Sequence, residues 1–129
     1  MTRRYARELA LQTLYSVEVG KHEAAAALDQ TFSHADVAAH RAFVRDLVLG
    51  TIEHAADIDA TIAPLLQGWT IERLPLLDRL VLRMSLYELQ FHKETPPAVV
   101  INEAVELAKK FSTEDSGRYV NGVLASANR

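Results

Sequence analysis

The sequence of 129 residues contains no cysteine, which excludes disulfide scaffolds, thiolate zinc sites, iron–sulfur clusters and cysteine nucleophiles before any motif is read. Its five glycines, at 20, 50, 68, 117 and 122, stand apart from one another, so no Gly-rich loop is available to cradle a phosphate. Long apolar runs are also missing. The longest, such as Ala24 to Leu28, fall far short of the roughly 18 residues that a membrane-spanning helix needs. Arg3, Arg4 and Arg7 could open a secretory leader, but Glu8, Gln12 and Thr13 break what would have to be its apolar stretch. Residues 1–129, 49% of them hydrophobic, are therefore expected to form one domain working in the cytoplasm, away from membranes.

Groupings that carry catalysis are equally scarce. None of the ten Glu or seven Asp is followed three residues later by His, so the paired ligands of a carboxylate-bridged di-iron bundle are absent. Asp36 and His40, four residues apart, could share a helix face as two metal ligands, but no second pair accompanies them, and no metal site is expected. The five His show no arrangement with Ser or a carboxylate, and His54 beside an apolar face suits a hydrogen-bonded core histidine. Asp57 and Asp59 would point about 200° apart on a helix, which fits solvated or capping roles and not an acid/base dyad. An enzyme is not expected, and neither is a cofactor.

What the sequence has in quantity is helical periodicity. Between Arg3 and about Val19, Ala6, Ala10, Leu14 and Val17 share one face, while Leu9 and Leu11 widen it so far that the helix must be covered on several sides. Gly20 is the expected stop. A short helix follows over Glu23 to Phe32, then a connection over Ser33 to Asp36, then a helix from near Val37 to His54. Ile58, Ile62, Leu65 and Leu66 make a further stripe ending at Gln67-Gly68-Trp69, after which Thr70 could cap a short turn and Pro75 suits a first helical position. Leu76 to Phe91 is apolar in nearly all directions and reads as a central buried helix; Ala98 to Phe111 is cleanly amphipathic, with Glu106 and Lys110 in the favourable order. After Ser112 to Asp115, a last helix turns Tyr119, Val120, Val123, Leu124 and Ala127 inward. An all-α chain of six or seven helices follows.

Charge is unevenly spread. The net value of −3 argues against coating nucleic acid by bulk attraction, yet residues 1–10 carry three Arg against one Glu. Arg3, Arg4 and Arg7 lie within an arc of about 100° near a helix start, where they oppose the helix dipole and could contact phosphates as a group. Tyr15 continues the strip two to three turns on. Asp78, Arg79, Arg83 and Glu88 interrupt the otherwise buried helix and must leave it through gaps, pair internally or meet a partner; surface pairing is the default reading.

Four segments carry a resemblance: Arg4 through Tyr15, Asp78 through Leu89, Pro97 through Phe111 and Asp115 through Leu124, with Ile101-Asn102-Glu103-Ala104 and Val120-Asn121-Gly122-Val123-Leu124 as their most specific words. In that order they make the chain resemble the NusB family of bacterial transcription antitermination factors. The resemblance implies two packed helical bundles and a non-enzymatic RNA-binding role. It also implies pairing with NusE, the small-subunit ribosomal protein that doubles as an elongation factor, on the boxA sequence of nascent RNA, within an RNA polymerase complex that reads through terminators on ribosomal RNA operons. Carried over by motif, Arg3, Arg4 and Arg7 belong to the RNA surface, and Tyr15 and Asp78 face NusE. Asp115 modulates RNA affinity by opposing phosphates, while Asn102, Glu103 and Asn121 are expected to brace the structure. Three phosphate contacts on single-stranded RNA give a salt slope of only about −2, so the NusE heterodimer is expected to be the RNA-binding species. Two alternatives stay open: a homodimeric helical scaffold in which the first helix self-associates, and the RNA-binding module of a ribosomal RNA methyltransferase, which would need a methyl-donor domain with its own Gly-rich loop.

Overall fold

A computed structural model describes residues 2–35 and 38–129. The described residues form seven α-helices and three short 3-10 turns: α1 (Arg3–Gly20), α2 (Ala24–His34), a turn at Ala38–His40, α3 (Arg41–Glu53), α4 (Ala55–Ile62), turns at Ala63–Leu65 and Ile71–Arg73, α5 (Leu76–Phe91), α6 (Pro97–Phe111) and α7 (Glu114–Ala127). Asp36 and Val37, including the Asp36 and His40 pairing and the expected start of the third helix, lie outside the described residues. The helices divide into two compact units, residues 1–52 and 53–129.

In the first unit, α1 begins because Thr2 accepts the Tyr5 N–H at 3.1 Å, satisfying one of the helix's orphan donors. Ala6, Leu9, Ala10, Leu11 and Leu14 are all buried, as a helix apolar over so wide an arc requires. The helix ends where expected, and the cap falls one residue later. Gly20 is the last helical residue, and the left-handed backbone falls on Lys21, at φ 56°. Gly20 is fixed by the His22 ring instead, which lies 2.5 Å from where a Cβ would stand. A hydroxyl pair, Thr13 and Thr31 at 2.6 Å, ties α1 to α2.

The second unit is built around α5, against which α4, α6 and α7 pack. Leu80, Val81, Leu82, Met84, Leu86 and Tyr87 are each at most 5% exposed, and burying an aliphatic side chain of this kind is worth about 1.5–3 kcal/mol. Pro75 is the N-cap of α5 and not its first helical residue: its extended backbone (ψ 141°) places its carbonyl to accept the Arg79 N–H at 3.0 Å. Pro97 does occupy the first position of α6, where its missing N–H costs nothing. Thr113 caps α7 by accepting the Ser116 N–H at 3.0 Å. His54 precedes α4 and ends the run that the sequence joined to the third helix; it is half-buried, with its ring 4.5 Å from that of Phe91. Its place is thus an aromatic stack and not the hydrogen-bonded core site expected of it.

Candidate nucleic-acid interface

The first turn of α1 carries Arg3 and Arg4 and no acidic residue, so two positive side chains sit at the positive end of a helix dipole. Both are exposed. Arg3 is held in place by the Phe43 ring of α3, whose centroid lies 3.8 Å from the guanidinium carbon. Arg7 departs from the expected trio: it is only 4% exposed and its guanidinium carbon lies 5.4 Å from the same ring. The arc of about 100° was sound, but the core boundary runs through it. Arg7 heads the stripe continued by Ala10, Leu11 and Leu14, all buried, whereas Arg3 lies one turn earlier, beyond the apolar stripe.

Two further cations, missed in the sequence, stand at the start of α3. Arg41 and Arg45 are exposed, and their guanidinium carbons lie 4.7 and 5.3 Å from the Phe32 ring. Their spacing of four was the available signal, since it puts both on one helix face beside a preceding aromatic. Arginines pressed against a ring lose less freedom on engaging an anion than arginines waving in water. Tyr15, 42% exposed, and Val19, 53% exposed, form an apolar strip one turn apart on α1.

In the second unit the charges of α5 find partners inside the bundle. Arg83 donates through Nε and Nη2 to both oxygens of Asp59, each at 2.7 Å, so Asp59 is an ion-pair partner and not a solvated or capping carboxylate. Arg79 donates to the Leu74 carbonyl at 3.3 Å. Asp78, expected to emerge toward a partner, is 5% exposed and accepts from the Ser116 hydroxyl at 2.8 Å. It is not a surface carboxylate. Its other oxygen, Oδ1, is buried without a hydrogen-bond partner, as is the Tyr119 hydroxyl. Both residues line a cavity of about 290 Å³ whose outer wall is Trp69, 48% exposed. Burial, and then the charge of Asp78, push the Tyr119 phenol above its usual pKa, so it stays a neutral donor.

Asp115, exposed in the first turn of α7, pairs with Arg118 one turn on. Arg118 and Arg129 line a second cavity, of about 390 Å³, on which Tyr119 also borders. Asn102 and Asn121 are both exposed. Glu103 is half-buried and engaged.

No helix among the described residues is long and apolar enough to cross a membrane. The sequence matches the NusB family over residues 4–129. It is 46% identical over 124 residues to the transcription antitermination protein NusB of Geobacter sulfurreducens, covering 95% of this chain and 90% of that protein. Against the protein of that name from Halalkalibacterium halodurans it is 42% identical over 125 residues, covering 97% and 92%. Among solved structures, T. maritima NusB superposes with a TM-score of 0.90 at 32% identity, over 99% of this chain and 91% of that one. A chain from the crystal structure of antitermination factors NusB and NusE in complex with dsRNA gives 0.85 at 27% identity, over 99% and 98%. Matched along nearly its whole length to proteins of one kind, the chain belongs to the NusB family, whose relatives here are named transcription antitermination proteins.

Proposed function

We propose that the chain acts in the cytoplasm as an antitermination factor that binds boxA RNA together with NusE, as part of an RNA polymerase complex that transcribes ribosomal RNA operons processively. The observation that carries the RNA-binding reading is the pair of exposed arginines on the acid-free first turn of α1, one of them stacked on Phe43. The neighbouring family structure solved with NusE and RNA supports the choice of partner. Arg3 and Arg4 contact phosphates, Arg41 and Arg45 extend that contact, and Arg7 positions α1 from beneath. Tyr15 and Val19, side by side and wet, are the surface that NusE covers. Asp115 weakens RNA binding by repelling phosphates and by occupying Arg118.

A labelled boxA RNA titrated with the protein alone, with NusE, and with an Arg3→Ala/Arg4→Ala variant tests the reading. Binding should require NusE, fall at least tenfold in the arginine variant, and strengthen in Asp115→Asn. Binding by the isolated chain as tight as by the complex would remove the heterodimer from the proposal. No binding in any combination, from a folded protein, would overturn it and favour self-association through the Tyr15 and Val19 strip, which sedimentation without NusE would reveal.

A further inference from the structure

Among the described residues of the first unit, Arg3, Arg7, Arg41 and Arg45 all meet aromatic rings, and Arg3 meets its ring differently from the rest. The guanidinium carbons of Arg41 and Arg45 stand 4.7 and 5.3 Å from the Phe32 centroid, whereas that of Arg3 stands 3.8 Å from the centroid of Phe43. That distance is too short for an approach along the plane of the ring, where the ring's own edge atoms stand in the way, so Arg3 lies over the face. It is also too short for the group to stand upright on one nitrogen, which would drive that nitrogen into the ring. The guanidinium is therefore laid against Phe43, with one flat side covered and the other turned outward on an exposed residue. The seat is rigid. Phe43 is buried in the body of α3, and Thr2 caps the turn that carries Arg3.

We infer that the outward side of Arg3 is a platform for one unpaired base of single-stranded RNA, which completes a stack of base, guanidinium and Phe43 ring. The inference rests on the RNA-binding reading given above and adds a base contact to the phosphate contact already assigned to Arg3. The two contacts do not compete. All the N–H donors of a guanidinium lie in its plane, so a phosphate is held at the edge, while the flat side offers no donor and is weakly hydrated. A base supplies what that side can bind, a broad polarisable face that asks for no hydrogen bond. Guanidinium planes serve in this way where single-stranded RNA is recognised.

Arg41 and Arg45 lack this geometry. They share the Phe32 ring at distances that do not require either group to lie flat, which leaves them the edge contacts of phosphate binding. Arg7, 5.4 Å from the Phe43 centroid, is buried and offers no outward side. An aromatic side chain of NusE is the rival occupant, since it too could cover a flat cation. The surroundings favour the base. Arg3 and Arg4 stand on a turn without an acidic residue, and a strand whose phosphates they hold brings its own bases along, whereas a protein ring would have to share the place with that strand.

Arg3→Lys tests the stack, because lysine keeps the charge and loses the plane. In the titration of labelled boxA RNA with the full chain and NusE, Arg3→Lys should bind about tenfold more weakly, with an unchanged salt slope. A scan that replaces one nucleotide at a time by an abasic residue then locates the base. At one position the abasic RNA should bind the unaltered protein about tenfold more weakly than intact RNA, and Arg3→Lys no more weakly than intact RNA. Positions read by NusE lose equally with both proteins. Arg3 is exposed at a helix start, so the lysine variant should fold, and its melting temperature checks that. Arg3→Lys that binds like the unaltered protein, or a scan with no position whose loss depends on Arg3, would overturn the platform and leave Arg3 with its phosphate contact. A loss of NusE affinity in Arg3→Lys measured without RNA would give the flat side to the protein partner and also overturn the inference. Failure of every RNA to bind would bring down the broader reading, and this inference with it.

Discussion

Arg83 and Asp59 are 24 positions apart, yet two parallel hydrogen bonds of 2.7 Å join them. Their side chains are 15% and 27% exposed, sheltered enough that deleting one partner strands the other in poor solvent. Arg83→Ala and Asp59→Ala are each expected to cost about 2 kcal/mol in urea unfolding, and the double variant about 1 kcal/mol less than their sum. Strict additivity would show that the pair contributes only through packing of its two stems. This pair marks where residue-level reading of the sequence stopped. Four charges on the central helix were visibly out of place, but their partners lie 24 positions away for Arg83 and 38 for Asp78, and no helical period links such distances. Arg7 is a different case. Its azimuth coincides with that of Ala10 and Leu14, so its burial was legible in the pattern that identified α1, and the attraction of grouping three arginines hid it.

At the scale of elements, helix bodies followed their periodicity closely and helix ends did not. A periodic stripe records many buried residues at once, whereas an end depends on the dihedral angles of one or two. The segment from Val37 to His54 shows this: its apolar face continues to Thr51, but a 3-10 turn precedes Arg41 and His54 begins the approach to α4. Among the described residues, the two left-handed ones offer a test with opposite signs. Lys21 holds φ 56° after α1, a conformation in which its Cβ crowds the backbone; Lys21→Gly is expected to stabilise the protein by about 0.5–1 kcal/mol. Gly68 holds φ 78° in the turn that leads to Trp69, with open space around it, so Gly68→Ala is expected to cost about 1 kcal/mol through the backbone alone. Denaturant midpoints measure both, and equal effects of one sign would mean that contacts and not dihedral angles govern these ends.

Over the whole molecule, charge is divided in a way that favours local over general attraction for RNA. Residues 1–52 balance six basic side chains against six acidic ones, while residues 53–129 carry eight against eleven. Neither part draws a polyanion by net charge, so affinity must come from the few cations that touch phosphates, and the salt dependence counts them. If Arg3 and Arg4 alone make contact, the slope of log affinity against log salt is about −1.4, and raising salt from roughly 50 to 200 mM weakens binding about sevenfold. If Arg41 and Arg45 join them, the slope steepens to about −3 and the same change weakens binding about fiftyfold. The second outcome is expected for this protein's share, because all four are exposed and three of them, Arg3, Arg41 and Arg45, are pressed against aromatic rings. NusE brings contacts of its own, so the quantity to compare is the difference in slope between the complex and its Arg41→Ala/Arg45→Ala variant. A difference of about 1.4 assigns both residues to the RNA path. An unchanged slope would confine that path to the start of α1 and leave the ring-bound pair on α3 with a packing role only.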